Sequence, residues 1–157
     1  MIGIDISYES DEMMARAPQD TVEAVLMKVL ELVGKDSCEL SCSFVSESAM
    51  RDLNASYRDK DESTDILSFV QSDDNDGFEF PTDTDSPELL GDIIISLDDM
   101  EKNCEFFSVA PSQELSRLLV HGVLHLVGWD HATNDMDEHM LIKQEELLKI
   151  VEKESIA

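Results

Sequence analysis

The stretch His121-Gly122-Val123-Leu124-His125-Leu126-Val127-Gly128-Trp129-Asp130-His131 restricts the folds open to this chain more than any other segment. Two imidazoles four residues apart on a helix share a face. Four helical steps carry the chain about 400° round the axis, so the rings stand one turn apart. Leu115, Leu118, Leu119, Val123 and Leu124 recur at helical spacing around them, so the same helix is also a core element. Pro111 suits its first position, and Gly128 can adopt the left-handed conformation that stops it and turns the chain back. That turn brings His131 towards the other two rings. The fold must therefore bury this helix and still leave one edge of it open.

Three neutral nitrogen donors with a fourth position open describe a catalytic zinc-type site. Three of the four histidines of the chain lie in this stretch. A lone histidine on an apolar face is usually packing. A pair at i, i+4 followed by a helix-stopping glycine and a third histidine is better explained by one divalent ion held by His121, His125 and His131. Asp130 either orients an imidazole or shapes the turn. His139 reads as a solvated histidine of the last helix, with a fourth ligand as the lesser alternative. The spacing His-x3-His-x2-Gly-x2-His equals that of the metzincin peptidases, which place a glutamate directly after the first histidine as general base. Gly122 stands there instead, so a peptidase built on this site lacks the group that takes the proton from the attacking water.

The remaining pattern gives strands and helices without strict alternation, an α+β arrangement in a single domain over residues 1–157. Ile2, Ile4, Ile6 and Tyr8 alternate as a strand. Asp20 and Glu23 read as a capping box opening a helix through Val22, Val25, Leu26, Val29, Leu30 and Val33, ended by Gly34. Cys38, Leu40, Cys42 and Phe44 alternate as a half-buried strand, which makes the two cysteines small core residues rather than ligands. Ser46 caps a helix carrying Met50, Leu53 and Tyr57, and residues 66–70 form a short apolar strand. Residues 72–90 read as an acidic loop. Within it, Ser72-x-Asp74-x-Asp76-Gly77 and Asp83 echo a calcium loop, but serine takes the first position and no helices flank it, so a solvated loop is expected. A strand follows over 91–96 and a short helix over 98–107. A last helix is opened by Asn134 and Asp137 and carries Met136, Met140, Leu147, Leu148 and Val151.

The net charge is −25. It excludes a protein that grips nucleic acid through a broad basic face, and it argues against an anionic membrane as partner. No apolar run is long enough to span a bilayer, and the first residues show neither the basic nor the long apolar part of a secretory leader. The three cysteines form no CxxC pair, so reduced thiols and a cytoplasmic location are expected.

The histidine stretch resembles the signature of the YbeY family of bacterial metal-dependent endoribonucleases, which mature ribosomal RNA. Two further blocks carry the resemblance: Leu53-Asn54, Tyr57-Arg58 and Thr64-Asp65-Ile66-Leu67-Ser68-Phe69, and then Leu90-Gly91-Asp92-Ile93. Order and separation agree across residues 50–131, with weaker similarity to about 150. Ser63 and Val70 stand where the family often has proline, and Trp129 replaces a frequent tyrosine. These departures touch turn stiffness and packing more than chemistry.

The resemblance implies a compact domain with a small mixed sheet and a zincin-like His-x3-His helix. One zinc ion, or another divalent metal, would be held by His121, His125 and His131. The implied activity is single-strand RNA cleavage in 16S rRNA 3′-end maturation and ribosome quality control. The implied partners are rRNA and the small ribosomal subunit, with a ribosomal protein supplying docking; DNA and membranes are not expected. Arg58 matches the family's arginine and would clamp the scissile phosphate; without the resemblance it reads as a helix-end arginine in a salt bridge. Asp65 and Ser68 shape the site, or Asp65 simply caps a turn. No general base is identified. The acidic charge implies weak, strongly salt-dependent affinity for free RNA. Two other readings are a metal hydrolase of another class and a ribosome-assembly binding protein whose metal is structural.

Overall fold

The computed structural model describes residues 2–71, 88–129 and 139–155. The first strand, β1 (Ile2–Tyr8), is followed by helices α1 (Asp11–Arg16) and α2 (Gln19–Leu32), then β2 (Cys38–Val45) and α3 (Glu47–Arg58). Next come β3 (Ile66–Val70), β4 (Glu88–Ser96), α4 (Leu97–Phe107), α5 (Pro111–Leu126) and α6 (His139–Ser155). The expected acidic loop over 72–90, with Ser72, Asp74, Asp76, Gly77 and Asp83, lies outside the described residues except for 88–90, which are not loop but the start of β4. Asp130, His131, Asn134, Met136 and Asp137 also lie outside the described residues.

The sheet is mixed, in the order β1-β2-β4-β3. β1, β2 and β4 are parallel, and β3 pairs antiparallel to β4. The parallel pair β1–β2 requires a crossover, which α2 supplies. This small parallel unit stands inside the α+β arrangement that the pattern predicts. The burial of Cys38, Leu40, Cys42 and Phe44 alternates along β2 as expected, with both cysteines fully enclosed. The Cys42 thiol is pushed up to about 12 by that burial.

The core lies between the sheet and the helices. Leu26 and Leu30 of α2, Phe44, Ile93 and Ile95 of the sheet, and Leu119, Val123 and Leu124 of α5 are all buried in it. α5 touches α2, α4, α6, β3 and β4 and is the central element. Burial of each such side chain contributes roughly 1.5–3 kcal/mol, so the position of α5 is fixed by many independent contacts. Its C-terminus is closed in full. Gly128 has φ +105°; its N–H donates to the His125 carbonyl at 3.1 Å, and the Trp129 N–H donates to the Leu124 carbonyl at 2.9 Å. The glycine stop expected after the histidine pair is therefore present, and Gly34 ends α2 the same way.

Two local expectations need correction. α2 does not use Asp20 and Glu23 as a capping box: Pro18 is the N-cap and no side-chain cap bond is made. Pro18 holds φ at −56°, so the chain turns helical at Gln19 and both acidic residues fall inside the helix. α1, absent from the pattern, buries only Met13 and so has no apolar period to reveal it. Among the described residues no helix is long and apolar enough to cross a membrane.

Candidate active site

α5 presents its open edge to a cleft of about 850 Å³ closed by α3, β3 and α6. His121 and His125 line it one turn apart, with ring centroids 4.6 Å apart and Nε2 atoms 3.1 Å apart. Two nitrogen ligands of a tetrahedral zinc ion, each about 2.05 Å from it, lie about 3.3 Å from each other. The pair therefore has the spacing of two ligands of one ion. On the far side of its ring, His121 Nδ1 meets Gln144 Oε1 at 2.6 Å. An amide oxygen only accepts, so this bond places the proton on Nδ1 and leaves the Nε2 lone pair facing His125.

Gln144 is itself held. It is 7% exposed, and its amide nitrogen donates to the Glu145 carboxylate at 3.1 Å. Glu145 receives Arg117 through Nε and Nη2 at 3.0 and 3.1 Å, and Arg117 Nη1 reaches Glu114 at 3.3 Å. Burial pushes the Glu145 carboxyl up, but the bonds from Arg117 and Gln144 outweigh it and hold the group below its ordinary range. At Glu114 burial prevails over Arg117, and the carboxyl is raised.

Gln144 is the site residue that sequence reasoning missed. A signal exists: Met140, Leu147, Leu148 and Val151 form the buried stripe of α6, and Gln144 interrupts it with a polar group. A polar side chain on a buried stripe calls for a partner.

Arg58 is the last residue of α3 and lines the same cleft from the opposite side, beside Tyr57. Ser46 caps the start of α3 as expected, accepting the Ala49 N–H at 3.1 Å. At its end Asp59 turns left-handed, with φ 56°. The buried Asn54 then donates from Nδ2 to the Glu62 carbonyl at 2.8 Å, so the loop is tied back to the helix and Arg58 is fixed at the rim. Arg16, Arg51 and Arg117 are each held by carboxylates, whereas among the described residues none holds Arg58. The salt-bridge reading of Arg58 thus has no support here.

Asp65 and Ser68 also line the cleft. Asp65 is built in twice, through its carbonyl to the Ser96 N–H at 2.9 Å and through its carboxylate to Asn103 Nδ2 at 2.9 Å. Burial raises its carboxyl, against the opposing pull of His121 and Asn103. Among the described residues no three His, Cys, Asp or Glu side chains form a metal cluster. The third expected ligand, His131, lies outside the described residues, and the exposed His139 is not among the residues lining the cleft.

Gly122 lies between the two histidines, on the face turned to the sheet. A Cβ there would stand 2.9–3.1 Å from the side-chain carbons of the buried Ile93. The position that a metzincin fills with glutamate is thus crowded by Ile93, whose side chain would have to shift to admit even a Cβ.

Three comparisons agree with this arrangement. The family model described as endoribonuclease YbeY matches residues 4–152. The chain is 39% identical over 145 residues to the endoribonuclease YbeY of Treponema denticola, covering 92% of this chain and 90% of that protein. It is 38% identical over 146 residues to the endoribonuclease YbeY of Bacillus velezensis, covering 92% of each. The solution structure of a Thermotoga maritima protein superposes with a TM-score of 0.61 at 25% identity, covering 96% of this chain and 90% of that one.

Proposed function

Because the chain belongs to the endoribonuclease YbeY family, we propose that it is a metal-dependent endoribonuclease that cuts single-stranded RNA during 16S rRNA 3′-end maturation and ribosome quality control. The observation that carries this reading is the cleft lined by two convergent imidazole nitrogens and by an arginine with no carboxylate partner among the described residues. His121, His125 and His131 would hold one zinc ion, which when bound supplies Lewis acidity towards a phosphoryl oxygen.

The other roles belong to the chain's own groups. Arg58 offers a planar fork of donors to the non-bridging oxygens of the scissile phosphate, and no carboxylate of the described residues competes for it. Gln144 keeps the His121 proton on Nδ1 and the ring fixed. Asp65 and Ser68 border the phosphate position and exclude bulk water from one side. Arg58 and Arg117 are the basic residues lining this cleft, in a chain of net charge −25. Affinity for free RNA is therefore weak and salt-dependent, and the small ribosomal subunit, through a ribosomal protein, supplies the docking.

The test is cleavage of a precursor RNA carrying the 16S 3′ end by the wild type and by His125→Ala, with metal content measured on the same preparations. The wild type is expected to hold about one ion and to cut, and the variant to lose both. Equal cutting by both would move the activity away from the histidines. A metal-loaded wild type that does not cut this RNA, free or within the small subunit, would overturn the nuclease reading in favour of an assembly factor.

A further inference from the structure

Tyr57 is 68% exposed although its ring packs against Phe69 in a T-shaped pair, with centroids 5.1 Å apart at 67°. Of the exposed aromatic side chains described (Tyr57, Phe106, Phe107 and Trp129), only Tyr57 lines the cleft. Phe69 lines it too, and it is anchored in β3 opposite Asp92 of β4. Tyr57 is thus backed by a strand residue while most of its side chain stays open. The neighbouring residue in the chain is Arg58, and the loop that follows both is tied down by Asn54. An aromatic ring held at a fixed place beside a guanidinium that no carboxylate of the described residues holds has the composition of a nucleotide subsite, with a π-face for the base and a fork for the phosphate.

We infer that Tyr57, backed by Phe69, is the platform on which an unpaired base of the RNA stacks next to the phosphate gripped by Arg58. This rests on the nuclease reading and adds to it the part of the substrate that the site selects. A base within a duplex is covered on both faces by its neighbours and cannot lie on Tyr57, whereas an unpaired base can. Selection for single strands then resides in this ring. Stacking tolerates any base, because all four present a π-face, so the platform sets strandedness and position without reading sequence.

The experiment uses the full chain and short fluorescein-labelled single-stranded RNAs at low salt. Binding is read by anisotropy in chelator, and cleavage is read separately with metal. In the wild type, an abasic site scanned along the RNA is expected to weaken binding at one position by about 5- to 150-fold. Tyr57→Ala is expected to lose a similar factor with the intact RNA and to show no abasic penalty at that position. Tyr57→Phe, which keeps the ring, restores both. In the cleavage assay the Tyr57→Ala loss falls in KM rather than kcat. The inference is overturned if the abasic penalty is the same in wild type and Tyr57→Ala at every position, if Tyr57→Phe loses as much as Tyr57→Ala, or if the wild type binds paired and unpaired RNA alike or neither. Because binding is read without metal, a wild type that binds with the expected abasic pattern but never cuts overturns the nuclease reading and leaves the platform standing.

Discussion

On the α5–α6 side of the cleft, His121, Gln144, Glu145, Arg117 and Glu114 are joined in one chain of hydrogen bonds between 2.6 and 3.3 Å. On the α3–β3 side, Tyr57 and Arg58 stand exposed, the first backed by Phe69 and the second without a carboxylate partner among the described residues. The difference follows from what each wall has to hold. A metal ion tolerates little error in the direction of its ligands, so the ring that serves it is fixed through its far nitrogen. An RNA strand arrives with variable bases and a flexible backbone, and exposed side chains at an anchored helix end can meet it directly from water. If this division is right, variants of the first wall change stability and metal affinity, and variants of the second change substrate binding alone.

The largest effect is expected at Gly122. Gly122→Glu would restore the residue a zinc peptidase uses, yet its Cβ alone meets Ile93 at 2.9–3.1 Å. Overpacking of this kind costs about 1–3 kcal/mol, and burial of an unpaired carboxylate adds several more. Together these approach the whole stability of a domain, about 5–15 kcal/mol. Urea denaturation should find Gly122→Ala folded but weakened by about 1–3 kcal/mol, and Gly122→Glu largely unfolded. A well-folded Gly122→Glu would show that the helix can withdraw from the sheet, and the rigid wall would be less rigid than its contacts indicate.

Gln144→Leu comes next. It keeps the volume on the α6 stripe and removes the acceptor for His121 Nδ1–H. Competition with a chelator of known strength should show metal affinity lowered by about 10- to 100-fold, and the urea midpoint of the metal-free protein should fall as well, because the His121 Nδ1–H loses its acceptor. Tyr57→Ala in the same assay should hold metal like the wild type. Equal losses in the two variants would erase the distinction between the walls.

How much of this was readable beforehand differs along the chain for physical reasons. β1 and β3 are legible to the residue because each alternates or closes over a short apolar run. The histidine pair and its glycine stop are legible because helical spacing and the left-handed turn are local properties. The start of α2 was misread. Asp20 and Glu23 carry the chemistry of a capping box, but Pro18 decides the backbone two residues earlier. Gly122 could be recognised only as a missing base; its contact with Ile93 joins residues far apart in sequence and needs the sheet in place. Gln144 is the intermediate case. Its position on a buried stripe marks it as needing a partner, but which partner depends on how α6 lies across α5.

The smallest effect is a pH dependence carried by the two carboxylates that share Arg117. Both start from an ordinary value of 4.5, and the fold moves them in opposite directions. Glu114 is raised, first by burial, so at neutral pH its charge opposes folding. Below neutral pH the folded state takes up its proton before the unfolded chain does, and stability rises as pH falls through the raised value towards 4.5. Glu145 is lowered by Arg117 and Gln144 against its own burial. Its contribution is complete above 4.5 and is lost as pH falls through the lowered value, where the folded state must give up a favourable carboxylate. Urea midpoints of metal-free protein should therefore pass through a maximum near pH 4.5 on account of this pair. Comparison with variants separates the pair from the other carboxylates: Glu114→Gln should flatten the rise on the neutral side, and Glu145→Gln should flatten the fall on the acid side. If Glu145→Gln instead changes the neutral side, Arg117 is shared differently from the geometry, and the bond that steadies Gln144 is weaker than its 3.1 Å suggests.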